Sequence, residues 1–211
     1  MHYFYEYNRR VHVFKGPAPL VVVTKPIIYL YPEKSCEVIV KLDYKNNLTI
    51  LYPKFNIENG WTIKAQPDGR LIDPTTQKEY YGLYWEGDSD KVFDLSTGFV
   101  VKGEKSADFL DKKLAQLGLS RREANEFIVY WLPRMEKNKY NLIHFAQEEY
   151  RSLAQLKISP KPQTLIRVFM VLQPLDKTIN VPQQDLPTIE RKGFTVVEWG
   201  GTEYPKRREY E

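Results

Sequence analysis

Apolar residues in the first half of the chain fall into short runs that turn residues separate. Residues 37–42 place apolar side chains at every second position, which is the pattern of a strand with one buried face. Residues 20–23 and 27–31 are two further apolar runs. The sequence at 67–69 favours a turn because its glycine tolerates positive φ. Short strands separated by turns at this spacing predict an antiparallel sandwich or a strongly curved sheet.

The hydrophobic period becomes helical near residue 104. Apolar residues spaced three and four apart share one face of a first helix: Ala107, Leu110, Leu114 and Leu117. Ser120 and Glu123 match a capping box, which predicts that a second helix begins there. Pro133 is expected to end this second helix, because proline cannot donate a helical hydrogen bond.

Two strong strands are predicted late in the chain, at 165–172 and 194–199, with a long loop at 173–193 between them. Together these patterns predict an α+β fold. It would have a β-rich, sandwich-like or curved antiparallel sheet, with two or three short helices in its second half.

The same patterns predict how the chain is divided into domains. Residues 1–24 form an aromatic arm, residues 25–201 a single globular domain, and residues 202–211 a polar tail. The alternative is a boundary between two domains near residue 103.

Composition narrows the class of protein without identifying it. The net charge is +4, and basic residues are interleaved with acidic ones, so no nucleic-acid partner is predicted. No apolar run approaches 18 residues, so no membrane span is predicted. One cysteine excludes a disulfide within the chain. We expect an intracellular protein, soluble or complex-associated.

Four motifs combine Trp or Tyr with Pro, Gly or Glu. They are KPIIYLYP at 25–32, YWEG at 84–87, YWLP at 130–133 and VEWGG at 197–201. Together they resemble a family of uncharacterised proteins, and the likeness runs from about residue 25 to residue 201. The resemblance implies that this region is one evolved unit. It brings no activity, cofactor or catalytic residue.

The sequence contains no recognisable metal or cofactor motif. Its three histidines are His2, His12 and His144, and none has the spacing of a metal-binding pair. Glycine-rich phosphate loops are absent too. We therefore predict no metal and no cofactor.

Paired carboxylates are the best catalytic hypothesis. Glu86 and Glu198 each stand beside a tryptophan, and a carboxyl group desolvated by an indole ring suits a general acid. Two such groups at the right separation cleave a glycosidic bond. Candidate ligand-binding residues are Trp85, Trp131 and Trp199 as stacking platforms, and Arg134 as an anion clamp.

The preferred hypothesis is a non-enzymatic binding or structural subunit of a larger protein assembly. Other protein subunits are the expected partners, and the carbohydrate-active hydrolase is the alternative. The aromatic arm supplies the predicted partner-binding residues, which are Tyr3, Phe4, Tyr5 and Tyr7. The long loop and the polar tail are further candidate contacts.

Overall fold

The computed structural model describes residues 2–7, 10–15 and 21–205, with side chains described from residue 22 onwards. Its helices are α1 Ser106–Gln116, α2 Arg121–Met135 and α3 Gln147–Leu153. Its strands are β1 His2–Tyr7, β2 Arg10–Lys15, β3 Val21–Tyr31, β4 Cys36–Tyr44, β5 Leu48–Tyr52, β6 Gly60–Ala65, β7 Leu71–Ile72, β8 Glu79–Tyr80, β9 Leu83–Ser89, β10 Phe99–Lys102, β11 Tyr140–Phe145, β12 Ala154–Ser159, β13 Thr164–Leu175 and β14 Thr195–Glu203.

The described strands form three sheets. The large sheet has the order β10-β11-β13-β14-β3-β9-β5, and the small sheet has the order β12-β4-β6-β7-β8. Within the large sheet β13 and β14 run parallel, and the other neighbours run antiparallel. Strands β1 and β2 pair with each other as a separate two-stranded sheet.

The central strands of the large sheet are buried on both faces. One face packs on the small sheet, as alternation within β3 illustrates: Ile28 and Leu30 join this core, which includes Trp61 of β6. The opposite face packs on α1 and α2, where Tyr29 joins a second core with Phe127. Residues 21–205 therefore form three layers: the small sheet, the large sheet and the helix pair.

The predicted α+β class is confirmed, because the described residues are β-rich and their three helices all follow Gly103. The capping box is confirmed as well. The Ser120 hydroxyl accepts from the backbone N–H of Glu123, and the Glu123 carboxylate accepts from the backbone N–H of Ser120.

Two sequence expectations about element boundaries are wrong. Pro133 does not end α2, which continues to Met135. Val129, whose carbonyl would have accepted the missing bond from Pro133, is 74% exposed, so it lies on the open side of the helix. Residues 21–23 and 27–31, which belong to two apolar runs expected as separate strands, lie on one strand, β3, with a bulge between Val23 and Ile27.

Parts of the predicted arm and tail lie outside the described residues. The structure places Tyr3, Phe4, Tyr5 and Tyr7 on β1, and their side chains lie outside the description. The polar tail is described only as far as residue 205. Strand β3 begins at Val21, four residues before the expected start of the globular domain.

None of the helices in the described ranges has both the length and the apolar character needed to cross a lipid bilayer. The longest, α2, has 15 residues and carries charged side chains.

Candidate functional site

The two predicted catalytic carboxylates lie on opposite faces of the large sheet. Trp85 faces the small sheet and donates its indole N–H to Glu198 Oε1 at 3.1 Å. Glu86 is the next residue on β9, so its side chain lies on the helix-facing side. There its Oε1 accepts the backbone N–H of Lys25 at 3.0 Å. The sheet separates the pair, so they do not form a shared catalytic site.

Glu198 is fully buried in an ion pair with Arg167. The Arg167 Nε lies 2.5 Å from Glu198 Oε2, and its Nη1 donates to the Ala154 carbonyl at 2.6 Å. Burial alone would lower the pKa of Arg167, but the carboxylate of Glu198 raises it above its ordinary value. A carboxylate held this way lies out of reach of solvent and serves the fold. The structure thus places the predicted general acid Glu198 in a buried pair with Arg167.

A tyrosine completes this buried polar cluster. The Arg167 guanidinium carbon lies 4.6 Å from the centroid of the Tyr150 ring. Burial and then the nearby Glu198 carboxylate raise the pKa of the Tyr150 phenol well above its ordinary value. Among the described residues, the Tyr150 hydroxyl and Arg167 Nη2 have no hydrogen-bond partner. Inside the sandwich, Arg167 therefore keeps its positive charge, and Tyr150 keeps its phenolic proton and stays neutral.

The predicted stacking platforms are core residues. Trp85 and Trp199 have no exposed surface, and Trp131 is 1% exposed. Trp85 stacks near Tyr150, with centroids 6.4 Å apart, and Trp199 packs edge-on to Phe127 at 5.3 Å. A sugar needs an open ring face, so these three rings do not bind one in this structure. Each buried indole instead removes roughly 150–250 Å² from water and stabilises the core.

The sequence motifs meet where α2 crosses the large sheet. A Cβ added to Gly201 would lie 2.4 Å from the Met170 carbonyl oxygen and 2.6 Å from Cζ2 of Trp131. A Cβ added to Gly200 would lie 3.0 Å from the backbone nitrogen of Pro26. The Gly-Gly pair thus lets α2 and the bulged part of β3 pack closely on β14. This packing accounts for why glycine is needed beside those aromatic and proline residues.

Lys25 is held in a strained conformation at the bulge of β3. Its φ is +57°, a region that residues with a Cβ adopt at a cost of about 1–2 kcal/mol. Its ammonium lies 5.1 Å from the centroid of the Tyr130 ring on α2. Strained residues of this kind cluster at functional sites, which draws attention to the surface beside it.

An open groove of about 440 Å³ lies beside Lys25, and we call it the α2 groove. Its lining residues are Lys25, Tyr81, Arg122, Glu126, Val129, Tyr130, Pro133 and Arg134. Arg122, Glu126, Tyr130 and Arg134 are each four residues apart, so they follow one face of α2. At 1.5 Å per residue this face is about 18 Å long.

The carboxylate of the groove is turned toward the protein. Glu126 Oε2 accepts from the Tyr29 hydroxyl at 2.6 Å, and that hydroxyl accepts from the Trp199 indole at 3.1 Å. Burial raises the pKa of Tyr29 far above its ordinary value, so the phenol keeps its proton and remains a donor. Arg122 Nε lies 3.4 Å from Glu126 Oε1, and the Arg122 side chain is 73% exposed. The Glu126 carboxylate is therefore shared between the Tyr29 hydroxyl and the largely exposed Arg122 guanidinium.

Arg134 lies at the other end of the groove. Its Nη1 donates to the Tyr130 carbonyl at 2.6 Å, and its guanidinium carbon lies 4.2 Å from the Tyr130 ring centroid. Its Nε is 3.8 Å from Glu203 Oε2, a distant pair whose side chains are 38% and 34% exposed. Arg134 is thus the one predicted ligand-binding residue that lines the groove.

A smaller cavity of about 210 Å³ adjoins the α2 groove and shares Tyr81 and Arg122 with it. Its acidic side chains are Asp68 and Glu79, which lie 2.8 and 3.5 Å from Arg70. These carboxylates are paired with Arg70, and Arg122 lines both cavities.

The described residues contain no group of three or more His, Cys, Asp or Glu side chains placed to hold a metal ion. His144 is buried, and its Nδ1 lies 2.9 Å from the Thr97 carbonyl oxygen.

Sequence reasoning missed most of the groove. Lys25, Tyr81 and Arg122 are far apart along the chain, and only the fold brings them together. The spacing of four residues from Arg122 to Arg134 was the available signal, because it places polar and aromatic residues along one helix face.

Comparisons with known proteins show one partial likeness. The chain is 45% identical over 65 residues to a protein of Butyrivibrio fibrisolvens described as "Uncharacterized protein in bglA 3'region". The aligned segment spans 66% of that relative, just under two thirds of its length, and 30% of this chain. No family model matches, and no solved structure matches. The chain therefore shares a segment with a protein whose description names no activity.

Proposed function

We propose that this chain is a non-enzymatic binding subunit of a larger protein assembly, and that the α2 groove holds a segment of its partner. The observation that carries the proposal is the open groove with an exposed apolar centre. Val129 is 74% exposed and Tyr81 is 54% exposed, between Arg122 and Arg134. Tyrosine and arginine around an apolar centre are typical of protein–protein interfaces.

The alternative hydrolase has weaker support. A glycosidase with two catalytic carboxyls needs them roughly 5–10 Å apart, on either side of one bound sugar. Glu86 and Glu198 are separated by the large sheet, and Glu198 has no exposed surface. We therefore favour binding over hydrolysis by this pair.

The β1–β2 hairpin extends the same proposal. An isolated two-stranded sheet is marginally stable in water, and packing against another surface stabilises it. We propose that a partner supplies this surface and that Tyr3, Phe4, Tyr5 and Tyr7 contribute contacts. This second contact is independent of the groove.

The test is gentle purification of the tagged full chain from its source, followed by mass spectrometry of the proteins that stay bound. Val129→Arg places a long side chain in the groove without disturbing the core. Val92→Arg is the matched control, because Val92 is an exposed valine, at 46%, outside the groove. We expect a fixed set of stoichiometric partners with the wild type and the control, and loss of a partner with Val129→Arg. A wild-type chain that purifies alone, or a Val129→Arg variant that keeps every partner, would contradict the proposal.

A further inference from the structure

We infer that the α2 groove recognises an extended acidic segment of its protein partner. This inference rests on the binding function proposed above and specifies the chemistry of the occupant. Two aspects of the groove carry it: the excess of cations in its lining and the helical hydrogen bond that a proline removes.

Cations outnumber carboxylates in the groove lining. Lys25, Arg122 and Arg134 line it together with one carboxylate, Glu126. Arg122 is the more exposed of the two arginines: 73% of its side chain is exposed, against 38% for Arg134. Arginine forms bidentate hydrogen bonds with carboxylates, so this lining fits an acidic occupant.

Among the described residues, the nearby carboxylates offset only part of this charge. Glu126 accepts from the Tyr29 hydroxyl through Oε2, and through Oε1 it pairs with Arg122 Nε at 3.4 Å. Glu86 accepts the backbone N–H of Lys25. Glu203 Oε2 lies 3.8 Å from Arg134 Nε, beyond hydrogen-bond distance. Two of the three acids are therefore bound to donors of the fold, and the third is held loosely.

One helical hydrogen bond is missing between the two arginines. Pro133 has no N–H, so it cannot donate the helical hydrogen bond to the carbonyl of Val129 four residues earlier. Both residues line the groove. An extended peptide offers unpaired backbone N–H groups, which suit this acceptor, and the exposed Val129 side chain suits an apolar residue of the same peptide.

The length of the groove sets the spacing of the acidic residues. Arg122 and Arg134 are separated by about 18 Å along the helix, from twelve residues at 1.5 Å each. An extended chain rises about 3.3 Å per residue, so two carboxylates roughly five positions apart reach both arginines. The occupant is therefore acidic at both ends of a stretch of about six residues and apolar between them.

The test is a display library of random twelve-residue peptides, selected on the purified full chain. We expect enrichment of peptides with two Asp or Glu residues about five positions apart. One enriched peptide is then labelled with fluorescein, and its Kd is measured by anisotropy beside a twin that carries Gln for each Glu and Asn for each Asp. The twin should bind at least tenfold more weakly, and added NaCl should weaken the acidic peptide more than the twin.

Variants of the protein locate the contact. Arg122→Glu should weaken the acidic peptide at least tenfold, and Arg134→Glu is a second test should one variant fail to fold. Lys157→Glu is the matched control, because Lys157 is exposed on the small sheet, and it should leave the Kd unchanged within twofold. Urea unfolding checks that each variant is folded.

The outcomes separate the two proposals. Peptides that Val129→Arg abolishes, but whose neutral twins bind equally well, would overturn the acidic specificity and leave the binding function standing. Absence of any peptide sensitive to Val129→Arg would contradict both proposals. A twelve-residue thymidine oligonucleotide that displaces the peptide and binds more tightly would overturn the choice of a protein occupant.

Discussion

Glu86 and Glu198 occupy opposite faces of one sheet, although each stands next to a tryptophan. Glu198 is sealed between the two sheets with Arg167, whereas Glu86 lies on the helix-facing side and binds the backbone of Lys25. The two carboxylates therefore have separate structural roles. One holds a buried cation, and the other holds the bulge that places Lys25 beside α2.

The buried ion pair between Arg167 and Glu198 leads to a prediction about stability. Glu198→Ala leaves the Arg167 guanidinium buried without its counter-charge, and we expect the free energy of unfolding to fall by about 3–5 kcal/mol. Replacing both residues, as Arg167→Met with Glu198→Leu, should restore most of the loss. Urea unfolding measures both. The control is Glu190→Ala, whose pair with Lys192 at 3.9 Å is about 80% exposed and should contribute little. Equal losses for Glu198→Ala and Glu190→Ala would contradict a special stabilising role for the buried pair.

The close packing of Gly201 against Met170 and Trp131 leads to a prediction about stability. Gly201→Ala places a methyl group against a backbone carbonyl oxygen, which cannot rotate away, and against the Trp131 ring. We expect a loss of about 1–3 kcal/mol in urea unfolding. Trp131→Phe removes the ring atom nearest to the new methyl, so the double variant should lose less than the sum of the single losses. Simple additivity would show that Gly201 and Trp131 do not constrain each other.

The strained backbone of Lys25 predicts a difference between two substitutions. Lys25→Gly and Lys25→Ala both remove the ammonium, but only glycine adopts a φ of +57° without a steric penalty. After the larger entropy of unfolded glycine is allowed for, we expect Lys25→Gly to be more stable by about 0.5–1 kcal/mol. Urea unfolding of the two variants under identical conditions provides the measurement. A more stable alanine variant would mean that the bulge does not impose this conformation.

Buried tyrosines predict a loss of stability at high pH. Burial raises the pKa of Tyr204 to about 12. The hydrogen bond that the backbone N–H of Phe93 donates to the Tyr204 hydroxyl opposes this shift. Burial, and then Asp88 and Asp90, raise the pKa of Tyr44 to about 12. An unfolded phenol titrates near 10, so the unfolded chain loses protons first as the pH rises.

The stabilising effect of these protonated phenols is therefore complete below about pH 10 and is lost between pH 10 and pH 12. We expect the urea midpoint to fall over the accessible part of this window. Tyr204→Phe should flatten the fall while lowering stability at neutral pH, because the bond to Phe93 is lost. The exposed Tyr52→Phe serves as control. A midpoint independent of pH up to 11.5 would contradict the prediction.

The sequence was informative wherever one local signal decided the structure. Alternating apolar positions predicted β4, and the Ser120–Glu123 capping box predicted the start of α2. Pro133 misled because its missing bond falls on the open side of the helix, where the loss is tolerated. The bulge in β3 was missed because it depends on Gly200 and Glu86, which come from other strands.

The candidate site was less predictable than the fold. Trp85 and Glu86 are adjacent in sequence, and strand alternation sends them to opposite faces, but the sequence does not say which face is open. Here both faces are covered, so aromatic residues that resembled a ligand platform became core. The groove itself joins Lys25 and Tyr81 to α2 through tertiary packing alone, and only Arg134 was predicted.

Photo-cross-linking from the α2 groove tests the central claim most directly. A benzoyl-phenylalanine introduced at Val129 in the tagged full chain reports which protein lies against that face, and the same group at Val92 is the control. We expect one dominant cross-linked partner from position 129 that is missing from position 92, with the cross-linked site in an acidic segment of that partner. Identical cross-links from both positions, or none from position 129 while the assembly is intact, would contradict it.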